Sequence, residues 1–352
     1  MTAPAPNWLG FLADEERVPQ DETAAVARAR DLLDRPVGDD PEPLFVAANL
    51  VALVHFRLGR PDRARALCHA EIAYARSRAR THGGTPARLA AFALQPQVNL
   101  VRIEGYAGDL DRALAGLAAL ERIADGERAH TEDVDWWPED VAADPALARQ
   151  VRALARNIRV SDTCKILHRR GRADLLAGAA ARLTARWPAL ASQGVQHAAE
   201  APWLLGADTA GAPGPTALAD PDPMARRLAV VRTLQLAAHA AGRGQRERAL
   251  DLTGPLVEAI GELPGPWASP LTVPRWWAVL GATLQRAGRE QQGRILLRAA
   301  LAEARGDAPL VRGALLRLGE PAPPRTHDLG RLPEVTRQLH LALAPVRSRA
   351  GV

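Results

Sequence analysis

An all-α fold is what this sequence predicts, and three observations predict it. Ala and Leu carry most of the 47% of its 352 residues that are apolar, while aromatic residues are only 4%. Ala and Leu are strong helix formers, and the β-branched and aromatic residues that favour strands are sparse. No stretch of alternating apolar and polar residues is long enough for a sheet. The third observation is a set of five short glycine turns, at Gly59, Gly108, Gly171, Gly242–Gly244 and Gly288, each between two Ala/Leu/Arg-rich stretches. At each, a helix is expected to end at a left-handed glycine and a second helix to start at once. Repeated down a chain, that pattern marks stacked helical hairpins.

The elements follow in order. Residues 1–43 read as an N-terminal arm, which Trp8, Leu9, Phe11 and Leu12 are expected to dock, then a short helix over 22–34 and a linker from Pro36 to Pro43. Residues 44–200 hold three hairpins. The first runs from Leu44 to Arg80, burying Leu44, Ala47, Ala48, Val51 and Val54 at helical spacing. Pro61 stands in the first turn of its second helix, where a missing N–H is harmless, and Ala64, Leu67 and Ile72 face back. The second hairpin, 87–125, turns at Gly108, with Asp109 placed to cap the helix that follows. The third, 145–187, turns at Gly171 and stops at Trp187-Pro188. Residues 201–223 are a Pro/Gly linker. The rest, 224–352, holds a fourth hairpin at 224–262, a fifth at 273–305 and two capping helices near 308–318 and 333–344.

Composition bounds the function classes. Net charge is +5 and, of 45 basic residues, Lys165 is the single lysine; the preference for arginine fits GC-rich coding. Acidic residues are interspersed with the arginines, as on solvated helix faces, so a nucleic-acid partner is not expected. Cys68 and Cys164 are far apart with no CxxC partner, which fits reduced thiols in a cytoplasmic protein. Cys68, His69 and Glu71 are close in sequence but are expected to point different ways round their helix. The first residues lack the pattern of a signal peptide, and no apolar run is long enough to span a membrane. No metal-ligand spacing, P-loop or dinucleotide fingerprint occurs, so no metal or cofactor is expected.

Four of the turns carry a small residue five positions after a glycine: Gly59/Ala64, Gly108/Ala113, Gly244/Ala249 and Gly288/Gly293. Gly171 has Leu176 there instead. The Gly-x-x-x-x-Ala turn is similar to that of the tetratricopeptide repeat, in which the small residue lets the second helix pack tightly on the first. The resemblance covers about residues 44–305 and is degenerate: the glycines are unevenly spaced, and the Trp-Leu-Gly-Tyr pattern of the family's first helix is missing. An irregular α-helical domain stays open as the alternative. The resemblance implies a TPR-like superhelix whose first helices line a concave, ligand-binding groove. It points to Asn49 and Phe56 in hairpin one, and to Gln95, Asn99 and Arg102 in hairpin two. It also points to Ser161, Lys165 and His168 in hairpin three, and to Arg275, Ala278 and Gln285 in hairpin five.

Such a groove is polar and positive. It suits a peptide, a partner protein or an anionic small molecule, and the expected role is a binding adaptor or ligand-sensing module. The bland alternative is that these residues are ordinary solvated positions. Ser161, Lys165 and His168 share one helix face, with Asp162 turned aside. A Ser–Lys pair becomes nucleophilic only when the lysine is desolvated, and no second base is identifiable nearby. An enzyme with a pocket at Arg102, Ser161, Lys165 and His168 is therefore the rival reading. The doublet Trp136-Trp137, in an acidic loop, is either an interaction hot spot or a plug between hairpins two and three.

Overall fold

Proline is the first or second residue of seven α-helices among the described residues, and glycine in the left-handed region closes most of their tight turns. In a computed structural model of the protein, the described residues are 22–34, 40–81, 86–188, 218, 223–261, 272–304, 308–321 and 330–344. They form thirteen α-helices: α1 (Glu22–Leu33), α2 (Glu42–Arg57), α3 (Pro61–Thr81), α4 (Pro86–Ala107), α5 (Leu110–Asp125), α6 (Pro145–Arg169), α7 (Ala173–Arg186), α8 (Pro223–Gly242), α9 (Arg246–Gly261), α10 (Thr272–Arg286), α11 (Glu290–Ala302), α12 (Ala308–Leu318) and α13 (Leu332–Ala342). Between α5 and α6 lie two short antiparallel strands, β1 (Ala129–His130) and β2 (Asp135–Trp136), and a 3-10 turn at Pro138–Val141. The protein is all-α. The expected arm at Trp8, Leu9, Phe11 and Leu12 and the linker at 201–223 lie outside the described residues, apart from Leu218 and Pro223.

Each glycine turn falls between consecutive helices: α2/α3, α4/α5, α6/α7, α8/α9 and α10/α11. Gly59, Gly171, Gly244 and Gly288 have φ between 68° and 90°, where other residues are strained. Gly108 does not share that conformation and corrects the expectation. Its reason is close approach: a Cβ there would strike the Glu104 carboxylate. Glu104 Oε2 accepts the Asp109 N–H at 3.0 Å, and Glu104 Oε1 accepts from Arg65 Nε at 2.7 Å. Asp109 is the helix cap, taking the N–H groups of Asp111 and Arg112 at 2.8 and 3.2 Å.

The residue five after each turn glycine is a packing position. Ala64, Ala113, Leu176 and Ala249 are all fully buried. In the fifth hairpin the approach is closest: a Cβ on Gly281 of α10 would lie 2.8 Å from the Gly293 carbonyl oxygen on α11.

The described residues divide into two compact units. One comprises those of 22–166 together with the C-terminal helix α13; the other comprises those of 167–321. The boundary falls within α6. The first unit has its core under α1–α4 and α13, where Phe45 stacks on Phe92 (centroids 5.2 Å apart) and meets the edge of Tyr74 (6.0 Å). Cys68 and Glu71 share the buried face of α3 there while His69 is exposed, against the expectation that they diverge. The second unit is built round α8, α10 and their neighbours, with Trp276, Leu234, Leu280 and Leu297 inside.

Candidate functional site

The first helices of hairpins one to three carry a polar strip within the first unit. Helix α4 supplies its axis, with Gln95, Asn99, Arg102 and Tyr106 at steps of four, three and four residues, which keeps them on one face. Asn99 Nδ2 donates to Asn49 Oδ1 of α2 at 2.7 Å, and Gln95 Nε2 donates to Asn99 Oδ1 at 3.3 Å. These three amides form a chain running along α4 and across to α2. Asn99 is buried, while Asn49 and Gln95 at the two ends are half-buried. One turn further along α4, Arg102 Nε donates to Asp162 Oδ2 of α6 at 2.6 Å. Beyond it the Phe56 and Tyr106 rings meet with centroids 6.5 Å apart.

Local packing sets this geometry. Gly105 of α4 has no side chain because Ile166 of α6 fills that space; a Cβ would come within 2.7 Å of Ile166 Cγ1. That close approach brings α6 near enough for Arg102 to reach Asp162.

Five of the residues expected from the sequence thus meet in one strip: Asn49, Phe56, Gln95, Asn99 and Arg102. Asp162 was expected to be turned aside and is instead the anchor of Arg102, its side chain only 3% exposed. Tyr106 was not expected at all. A sequence signal existed for Asp162. It stands nine residues before Gly171, as Asn99 stands nine before Gly108.

The remaining candidates behave differently. Ser161 Oγ lies 3.4 Å from Asp162 Oδ1 as a donor, a long bond to its own neighbour. Lys165 is half-buried on α6. His168 falls in the second unit, where it acts on His239 of α8; burial first, then His168 and Arg243, push the His239 imidazole down to about 4. Arg275 is 3% exposed and Ala278 fully buried. Gln285 Nε2 donates to the Arg317 carbonyl at 3.2 Å and to Glu290 Oε1 at 2.9 Å, fastening α10 to α11 and α12.

The tryptophan doublet splits. Trp136 is 3% exposed, in the strand pair that packs on α4 and α5. Two anchors hold that loop. Gln97 Oε1 accepts the Asp135 N–H at 2.9 Å, and Arg112 grips both oxygens of buried Asp133 at 2.6 and 2.5 Å. Trp137 is 39% exposed, with the Arg128 guanidinium 3.2 Å above its ring.

Among the described residues, no group of three or more His, Cys, Asp or Glu side chains is placed to hold a metal ion, and no helix is long and apolar enough to cross a membrane. The fold and strip define an all-α protein of packed, consecutive helical hairpins with a polar seam on its first helices. Comparison with known proteins gives no match: no family model, no curated protein and no solved structure matches the chain.

Proposed function

We propose that the chain is a tetratricopeptide-like binding module that receives an extended segment of a partner protein along the Asn49–Asn99–Gln95 strip. The observation that carries this reading is the 2.7 Å bond between Asn99 and Asn49, which orders the amides of two successive first helices. Asn49 uses its oxygen in that bond and keeps both Nδ2 protons; Gln95 uses an Nε2 proton and keeps its Oε1. A donor at one end and an acceptor at the other complement a peptide backbone, which offers one of each per residue. Phe56 and Tyr106 add apolar surface for a side chain of the bound segment. Arg102 already has Asp162 as its counter-ion, so the observations favour a peptide over a small anion, and an adaptor role over the enzymatic alternative.

A phage-displayed library of random peptides, selected on the whole protein, tests the reading. Enriched peptides are expected to lose at least about tenfold in affinity on Asn49→Ala, one good hydrogen bond's worth, and to bind Gln285→Ala as they bind the unaltered protein. No enrichment, or equal binding to Asn49→Ala, rejects the strip as a peptide site.

A further inference from the structure

Helix α13, the last in the chain, packs on α1, α2 and α3, the first three. Its apolar face, Leu332, Val335, Leu339 and Leu343, is buried in the core of the first unit. Within that contact lies one polar link. His55 of α2 is fully buried, and its Nε2 is 2.9 Å from Thr336 Oγ1. Thr336 Oγ1 in turn donates to the Leu332 carbonyl at 2.6 Å. A hydroxyl has one proton to give, and this one goes to Leu332. Thr336 therefore accepts from His55, which fixes the imidazole as the tautomer with its proton on Nε2.

The consequence falls on the other ring nitrogen. His55 Nδ1 is a bare lone pair, buried and without a hydrogen-bond partner. The charged or titratable groups acting on it from the described residues are Arg60 in the α2/α3 turn, Arg63 on α3 and His340 on α13. All three are bases. None of the carboxylates of α1, α3 or α13 acts on it. A proton added at Nδ1 would create an N–H with no acceptor and a buried charge beside like charges.

We propose that α13 is an acid-released latch: protonation of His55 expels the helix from its seat on α1–α3 and bares the apolar faces of both. Burial first, then Arg63, Arg60 and His340, push the docked imidazole from 6.5 down to about 4. An undocked, solvated His55 titrates near its ordinary value of about 6.5. The neutral form is thus favoured in the docked state. Docking is intact above pH 6.5 and weakens continuously as pH falls towards 4. Between pH 7.5 and 5.0 the released population rises about 30-fold, from the ratio of the two protonation polynomials.

Hydrogen exchange on the full chain, read by mass spectrometry from pH 7.5 to 5.0 and corrected for intrinsic rates, tests this. Amides of 332–343 are expected to lose protection about 30-fold, while those of α4 hold theirs. His55→Gln keeps a donor for Thr336 but has no proton to gain, and its α13 protection is expected to be flat with pH. Arg63→Gln, an exposed change, removes the strongest of the like charges and is expected to make the acid loss of protection at α13 smaller. Flat protection in the unaltered protein, or equal acid loss in α4, overturns the latch. So does an acid response of His55→Gln matching the unaltered protein, or an acid loss not reduced by Arg63→Gln.

Discussion

Arg102 Nε stands 2.6 Å from Asp162 Oδ2, joining the first helices of hairpins two and three across 60 residues of chain. The carboxylate is 3% exposed and the arginine 30%. Arg102→Ala leaves that carboxylate buried without its counter-ion. The expected loss is about 2 kcal/mol, towards the low end for a buried pair because Arg102 is partly solvated. Arg102→Met with Asp162→Leu removes both charges and is expected to restore most of it. Urea denaturation of the two single variants and the double variant measures the coupling.

Glu71 makes the opposite case. Its carboxyl is fully buried on α3, and neither oxygen has a hydrogen-bond partner. Burial pushes it well above the ordinary carboxylate range, and together with Glu71 it raises the Cys68 thiol. A folded-state value above the unfolded one means the folded chain holds more protons. Stability is therefore full below the unfolded value of about 4.3 and falls as pH rises from there towards the higher folded value. Glu71→Leu is expected to stabilise the first unit at pH 7 by about 1–3 kcal/mol and to flatten that slope. Denaturation midpoints at pH 5 and pH 8 would show both effects.

His239 gives the second unit an acid limb of its own. Its value of about 4 lies below the ordinary 6.5, so the unfolded chain takes up the extra proton. The stability of the second unit is expected to decline from pH 6.5 towards 4 by up to about 3 kcal/mol. Thermal unfolding followed by Trp276 fluorescence in this window is the measurement. His239→Gln should remove the pH dependence.

The fifth hairpin tests glycine as a packing residue. Gly281→Ala places a methyl 2.8 Å from the Gly293 oxygen, a backbone atom that cannot step aside. A loss of about 2 kcal/mol or more is expected. Gly178→Ala, on α7 with nothing within 4 Å of its Cβ position, is the control. It is expected to gain about 0.5–1 kcal/mol from helix propensity alone.

The two tryptophans of the acidic loop should separate cleanly. Trp136→Ala empties a buried site and is expected to cost about 3–4 kcal/mol. Trp137→Ala forfeits only the Arg128 contact on an exposed ring, less than about 1 kcal/mol. Equal melting temperatures for both variants would contradict the division between plug and surface.

The strip was partly legible before any coordinates. Asn49, Gln95, Asn99 and Arg102 follow from counting back from the turn glycines, because a helix that ends at a fixed residue presents a fixed face. Asp162 was missed because its role depends on how near α6 comes to α4, which Gly105 and Ile166 settle between them. Gly108 was misread for a similar reason. A glycine kept for left-handed backbone and one kept for a neighbour's carboxylate look alike in a sequence.

By itself the sequence determined the helix pairs about the glycine turns and the buried small residue behind four of them. Those features rest on interactions within about five residues: a left-handed glycine, an N-cap, a proline in a first turn. Tertiary structure alone decided where the last helix goes. The amphipathic pattern of α13 specifies that it must bury Leu332, Val335, Leu339 and Leu343, but not against what. Its partner His55 lies 281 residues away, and a choice among apolar seats at that distance is made by packing and by one hydrogen bond, neither of which leaves a periodic trace in the chain.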